Sequence, residues 1–331
     1  MSTDHDRCGP IPLDQAAGSG DASRVRTYLS LRAVCGTALG TLVALTSASC
    51  GSGSTALPKI DAGTTDASSD VGSDAPPSDG GGPDTGGGDA SVAGHLVISE
   101  IGVAPAAGEF IEIYNAGSAA VDLGSYFLSD NATYFRIAAG TPWNPPLATP
   151  GTDFLAQFPV GATLAPGAAI SIATSPTFEA QFSKCPDYIL STTPLTCTNG
   201  VAKAMLAPTN GGIGTSVGLS NDREMVVLFQ WTGGPTVKDV DYVTWGTVFD
   251  AETRADKTAA SGYQPDTAPA SQKAAIPPGV LQSIERCSAI ETGEKTSGGN
   301  GLLGHDETSE ALDQTFKVQT TPTPGAKNGC L

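Results

Sequence analysis

The sequence predicts an all-β domain built as a sandwich of two sheets. Three observations carry this. Short runs rich in Val, Ile, Phe and Tyr alternate apolar and polar at period two, as strands do. Turns rich in Gly and Pro punctuate them, and the chain holds 41 Gly and 24 Pro among 331 residues, above ordinary usage. No segment sustains the 3.6-residue period of an amphipathic helix.

The expected strands follow in order. His95–Val103 (HLVISEIGV) begins sharply after a polar tract. Glu109–Asn115 (EFIEIYN) places Ile111 and Ile113 on one face, and Phe110, Glu112 and Tyr114 on the other. Asn115-Ala-Gly117 turns the chain into Val121–Ser129. Ala169–Thr174 follows a Pro166-Gly167 turn. Glu224–Trp231 (EMVVLFQW) is the longest apolar run and suits a central strand. Thr232–Pro235 turns it back into Val237–Trp245, with Val240 and Tyr242 on one side and Val243 and Trp245 on the other. Ser283–Arg286 is the last. Short strands of this number and spacing suit a sandwich.

Upstream, residues 24–49 have the three-part layout of an export signal. Arg24, Arg26 and Arg32 give a positive start, Ala33 to Leu45 is uncharged and mainly apolar, and Ser47, Ala48 and Ser49 precede Cys50. The apolar part falls short of the ~20 residues that span a bilayer. The segment resembles a bacterial lipobox, in which the cysteine is lipidated and becomes the mature N-terminus, although Ser47 stands where that motif usually has Leu. An ordinary cleaved signal is the alternative. Gly51 follows the cysteine where a retention signal would place Asp, so the resemblance implies sorting to an outer membrane or the cell surface. Residues 1–23 carry no signal character and read as an over-extended start, with initiation near Val25.

Residues 50–93 read as a disordered linker. Seven Asp (61, 66, 70, 74, 79, 84 and 89) stand among Gly, Ser, Thr, Ala and Pro with no apolar period. Such a stretch cannot bury enough surface to offset chain entropy, and its charges extend it. These Asp lie four to five residues apart, unlike the close alternation of a calcium loop.

The formal net charge of −17 opposes binding to phosphate backbones, so no nucleic-acid partner is expected. Of seven cysteines, Cys8 and Cys35 precede the processing site and Cys50 would carry lipid. Cys185, Cys197, Cys287 and Cys330 remain, an even number for an oxidising compartment. Three pairings are open; proximity favours Cys185–Cys197, which leaves Cys287–Cys330. Neither pair has the C-x₂-C spacing of a metal site.

The strand sequences themselves resemble a known family. HLVISEI, EFIEIYNAGSAAVDLGSYFLSD, FPVGATLAPGAAISIA (158–173), GLSNDREMVVLF (218–229), SIERC (283–287) and TPGAKN (323–328) resemble, in order, the lamin tail domain. The resemblance covers about 94–329, frames a domain over 94–330, and implies an immunoglobulin-like β-sandwich. In bacteria the family occurs on secreted and surface proteins, sometimes beside catalytic domains. This copy carries long insertions at about 138–157, 178–215 and 246–282; the third is expected to be an exposed loop.

Candidate chemistry is sparse, and no catalytic residue, metal or cofactor is expected. Glu100, Glu109 and Glu112 could in principle act as paired acids, but they fall on the family's motif and read as structural, with Arg286 or Arg223 as partners. His95 and His305 lie at opposite ends of the domain sequence, and no G-x-S-x-G elbow accompanies them. Trp231 and Trp245 read as packing residues. Trp143, between Pro142 and Pro145, reads as the exposed one and a possible ligand contact. The first functional reading is a non-catalytic binding or adhesion module for a protein or glycan, tethered through lipid on Cys50. A purely structural envelope component and a hydrolase with its site in the insertions are the alternatives.

Overall fold

The computed structural model describes residues 95–140, 151–247 and 253–331. The expected leader, Cys50, the linker and Trp143 lie outside the described residues.

Fifteen strands are formed among them. In chain order they are β1 (Leu96–Gly102), β2 (Phe110–Asn115), β3 (Val121–Asp122), β4 (Tyr126–Ser129), β5 (Phe154–Gln157), β6 (Thr163–Leu164), β7 (Ala169–Ala173), β8 (Tyr188–Ile189), β9 (Leu195–Cys197), β10 (Gly200–Ala204), β11 (Gly212–Ile213), β12 (Glu224–Gln230), β13 (Lys238–Trp245), β14 (Ser283–Arg286) and β15 (Phe316–Gln319). Two single-turn helices, α1 (Phe178–Phe182) and α2 (Leu312–Thr315), are the only α-helical pieces among the described residues. One sheet runs β15-β14-β1-β2-β7-β8-β10-β9, the other β11-β5-β4-β12-β13, and β3 and β6 form a small ribbon. The fold is an all-β, immunoglobulin-like sandwich.

Alternation along each strand explains three apolar clusters rather than one. Ile111, Ile113, Ile170 and Ile172 from the first sheet meet Leu128, Val226, Leu228 and Phe154 from the second in the central core. The intervening residues Phe127, Leu155, Val227 and Phe229 point to the outside of the second sheet, yet they are buried too. Their cover comes from Tyr134 and Ile137 of a 3₁₀ turn and from Ala255. On the outside of the first sheet, Phe110, Ala173 and Ile189 lie under Phe178 of α1. Strands buried on both faces lose the polar side of the pattern, which is why β1, β2 and β4 are buried throughout.

The insertions supply this cover. The stretch 246–282, expected as an exposed loop, is exposed in places, at Ser261, Gly262, Ile276 and Val280, but not throughout its described residues. Between Thr253 and Gln272 it packs against the second sheet. Lys257 is fully buried, and Gln272 accepts from the Tyr242 hydroxyl at 2.9 Å while donating to Ala255 O at 2.8 Å. The second insertion forms β8 to β11 and α1, and the first ends in β5.

One facing was also mis-assigned by simple alternation. A β-bulge lets Leu228 pair with Asp241 and Phe229 with Asp239, so Val240 is the extra residue. It turns inward with Val243 and Trp245, while Tyr242 faces the outer cluster.

Candidate functional site

The candidate site is a groove beside β4 and β5 of the second sheet. Phe127 and Phe229, paired across β4 and β12, stack with centroids 5.2 Å apart. Just past β12, Trp231 leans on Phe127 at 6.1 Å, and its indole N–H donates to Gly234 O at 2.8 Å. Trp231 therefore packs, as expected, but only half-buried, with part of its ring bordering the groove. Trp245 is wholly buried, donating to Ser220 O at 3.0 Å.

The second insertion supplies the facing wall. Gln157 and Leu206 exchange two backbone hydrogen bonds, at 2.9 and 2.8 Å, which fix the segment Leu206–Asn210 beside β5. The groove encloses about 850 Å³, and among the described residues no charged side chain lines it. Its polar groups are the amides of Gln157 and Asn210 and the hydroxyls of Thr192 and Thr209. Thr192 also borders a second recess of about 710 Å³, rich in Ser and Thr hydroxyls such as Ser175, Ser191 and Ser216. Gly140, on the groove's rim, lies three residues before Trp143 in the chain.

The three sequence-nominated glutamates sit elsewhere and bind the protein's own chain. Glu100 accepts from the Ser283 hydroxyl at 2.5 Å and from the backbone N–H and hydroxyl of Thr323 at 3.0 and 2.9 Å. Glu112 accepts from the Ser99 hydroxyl and from Gly325 N, both at 2.7 Å. Glu109 accepts from Leu219 N at 3.0 Å and the Thr174 hydroxyl at 3.2 Å. Burial raises the pKa of all three against the effect of these donors, with Glu112 pushed up to about 8. Their expected partner Arg286 is committed to other carboxylates. It spans the two sheets, donating to Asp241 at 2.8 and 2.9 Å and to Glu310 at 2.7 and 3.1 Å. Phe316 covers its guanidinium at 4.9 Å.

His95, just before β1, contacts the loop between β14 and β15 on which His305 sits. His95 Nε2 lies 3.2 Å from Ala289 O, and His305 Nδ1 lies 3.1 Å from Glu294 Oε2. Disulfides join Cys185 to Cys197 and Cys287 to Cys330, with Cα atoms 5.7 and 4.4 Å apart. The first clips the hairpin of β9 and β10 to the end of α1, and the second ties the last residues to the end of β14. Such bonds belong to an oxidising, extracytoplasmic setting. Among the described residues no helix is long and apolar enough to cross a membrane.

Residues 89–247 match the family model of the Lamin Tail Domain. No curated protein matches the chain. Among solved structures, a DUF4876 family protein from Bacteroides thetaiotaomicron aligns over 72% of this chain and 74% of its own, at 13% identity and a TM-score of 0.39. The chain is thus similar to the lamin tail domain over β1 to β13, while β14 and β15, beyond the matched span, complete the edge of its eight-stranded sheet.

Proposed function

We propose that this chain is a lipid-tethered envelope protein that displays its sandwich as a non-catalytic binding module for a neutral glycan. One observation carries the reading. On a chain of net charge −17, the groove beside Trp231 has no charged lining among the described residues, and it pairs an aromatic wall with amides and hydroxyls. A sugar presents the same combination, an apolar face for an indole and a rim of hydroxyls for polar side chains. The tether would be Cys50, with the Asp-rich segment as spacer and the outer membrane surface as location; the two disulfides support export.

Two measurements test this. Cells fed a fatty-acid analogue should label the protein and not its Cys50→Ser variant; labelling of neither would remove the tether. The purified protein on a glycan array should bind neutral oligosaccharides, and Trp231→Ala should weaken that binding at least tenfold while the protein stays folded by circular dichroism. Binding insensitive to Trp231→Ala would dismiss the groove. An array without saturable binding would favour the purely structural role.

A further inference from the structure

Beyond the groove, the loop between β14 and β15 gathers acidic side chains where water does not reach. Two short segments supply them, Glu291-Thr-Gly-Glu294 and Glu307-Thr-Ser-Glu310, each with two glutamates three residues apart. The loop is tied to β13 by Asp239 N–H donating to Asn300 O at 3.1 Å and Leu302 N–H donating to Asp239 O at 3.0 Å. Its two limbs cross closely: a Cβ on Gly299 would sit 2.0 Å from His305 O, and one on Gly301 would sit 2.4 Å from a Glu307 carboxylate oxygen. The glycines are therefore a packing requirement of the acidic pocket.

Asp241, Glu291 and Glu310 converge with one oxygen each within 4.8 Å, and an oxygen each of Glu294 and Glu307 converges likewise with a ring nitrogen of His305. Glu291 is the strongest like charge felt by Glu307, which links the two groups. Arg286 serves Asp241 and Glu310. Glu291 feels the Arg286 charge but receives no hydrogen bond from it: it is only 8% exposed, and neither of its oxygens meets a hydrogen-bond donor within the protein. Glu307, 6% exposed, has one oxygen in the same position. A buried carboxylate without a hydrogen-bond donor is costly, so such groups are neutralised or bind a cation. Burial first, and then neighbouring carboxylates, push the pKa of both glutamates well above the ordinary range.

We propose that Glu294 and Glu307, whose oxygens converge, hold one calcium ion together with the donor-less Glu291 of the adjoining group, flanked by Asp241 and Glu310 on the side of Arg286. The converging set is dominated by hard carboxylate oxygens from irregular loop segments, which suits calcium's loose coordination better than the strict octahedron of magnesium. Among the described residues no thiolate is available to favour a softer metal, since all four cysteines are paired in disulfides. The ion would fasten the loop to β13 without touching the groove, so this assignment stands or falls separately from the glycan reading.

The test uses the full chain, stripped with EDTA and desalted. Calcium titrated by calorimetry should saturate with one buried site per chain, and the melting temperature should rise with calcium and much less with equal magnesium. Glu291→Gln and Glu307→Gln should each weaken that site at least tenfold. In EDTA the same variants should melt at or above the parent, because a repulsive charge has gone; in calcium they should melt below it. That reversal separates a lost ligand from a damaged fold. A parent whose melting temperature ignores calcium and EDTA overturns the proposal and points to shared protons. Calcium binding that survives in both variants also overturns it, and would belong to the Asp-rich segment.

Discussion

The ammonium of Lys257 lies 2.8 Å from Asp239 Oδ2, and neither side chain reaches solvent. Asp266 completes the pair's surroundings at 3.0 Å, and the Tyr134 hydroxyl accepts from Lys257 at 2.9 Å. Burial alone would lower the lysine's pKa, but the two carboxylates overcome it and push the value up. This cluster fixes an otherwise irregular segment to β13 and so roofs the outer aromatic cluster. Lys257→Met should cost about 3–5 kcal/mol, because Asp239 and Asp266 stay buried without a counter-charge. Urea unfolding measures the loss, and adding Asp266→Asn to Lys257→Met should recover part of it.

Glu112 predicts an unusual pH profile. Its pKa rises from an ordinary 4.5 to about 8, through burial first, opposed by the Ser99 hydroxyl and reinforced by Glu100. The folded protein then holds a proton that the unfolded chain releases, so this contribution to stability is complete below about 4.5 and is lost as pH climbs through about 8. The melting temperature should fall between pH 5 and 8, and Glu112→Gln should flatten that slope. A glutamine oxygen can still accept from Gly325 N, and its amide can donate to the Ser99 oxygen.

The two disulfides should differ in reach. Replacing Cys185 and Cys197 by Ala should cost about 3 kcal/mol, and replacing Cys287 and Cys330 about 4, from loop length in the chain-entropy model. Hydrogen exchange should show the first loss confined to α1, β9 and β10. The second should also expose the amides of Gly325 and Ala326, which donate to Glu112.

Phe178→Ala should cost about 3–5 kcal/mol, although it sits in a helix of one turn. Its ring meets Phe110 edge-on at 6.1 Å and Phe182 at 4.7 Å, and nothing else in α1 is fully buried. Denaturant titration measures it.

Much of the central core was legible because β1, β2, β7, β12, β13 and β14 are local patterns of branched and aromatic residues. The remainder depends on distant partners. The outward Phe127 and Phe229 look like ordinary strand residues, and nothing near them announces the cover that arrives about 130 and 25 residues later with Ala255. β8 and β11 are two residues long, too short for any period. Lys257 looked solvated because a lysine's partners are not readable from its neighbours. Arg286 was rightly singled out, but its partners Asp241 and Glu310 were missed in favour of the motif glutamates. The groove was invisible for the same reason: Trp231 and Leu206 meet only after folding. The repeated Glu-Thr-x-Glu was a signal in plain view, since acidic pairs at equal spacing on both sides of a Gly-rich stretch are unusual in a chain so sparing of charge.

The way β1 is satisfied bears on the order in which the chain can become a protein. One edge of β1 pairs with β2, but the other pairs with β14, and the carboxylates of Glu100 and Glu112 wait for amides at Thr323, Gly325 and Ala326. A nascent chain leaving a ribosome or a translocation pore therefore presents its first strand long before its last partners emerge. Until then the molecule stays threadable, and the segment Thr323–Ala326 acts as the latch that ends that state.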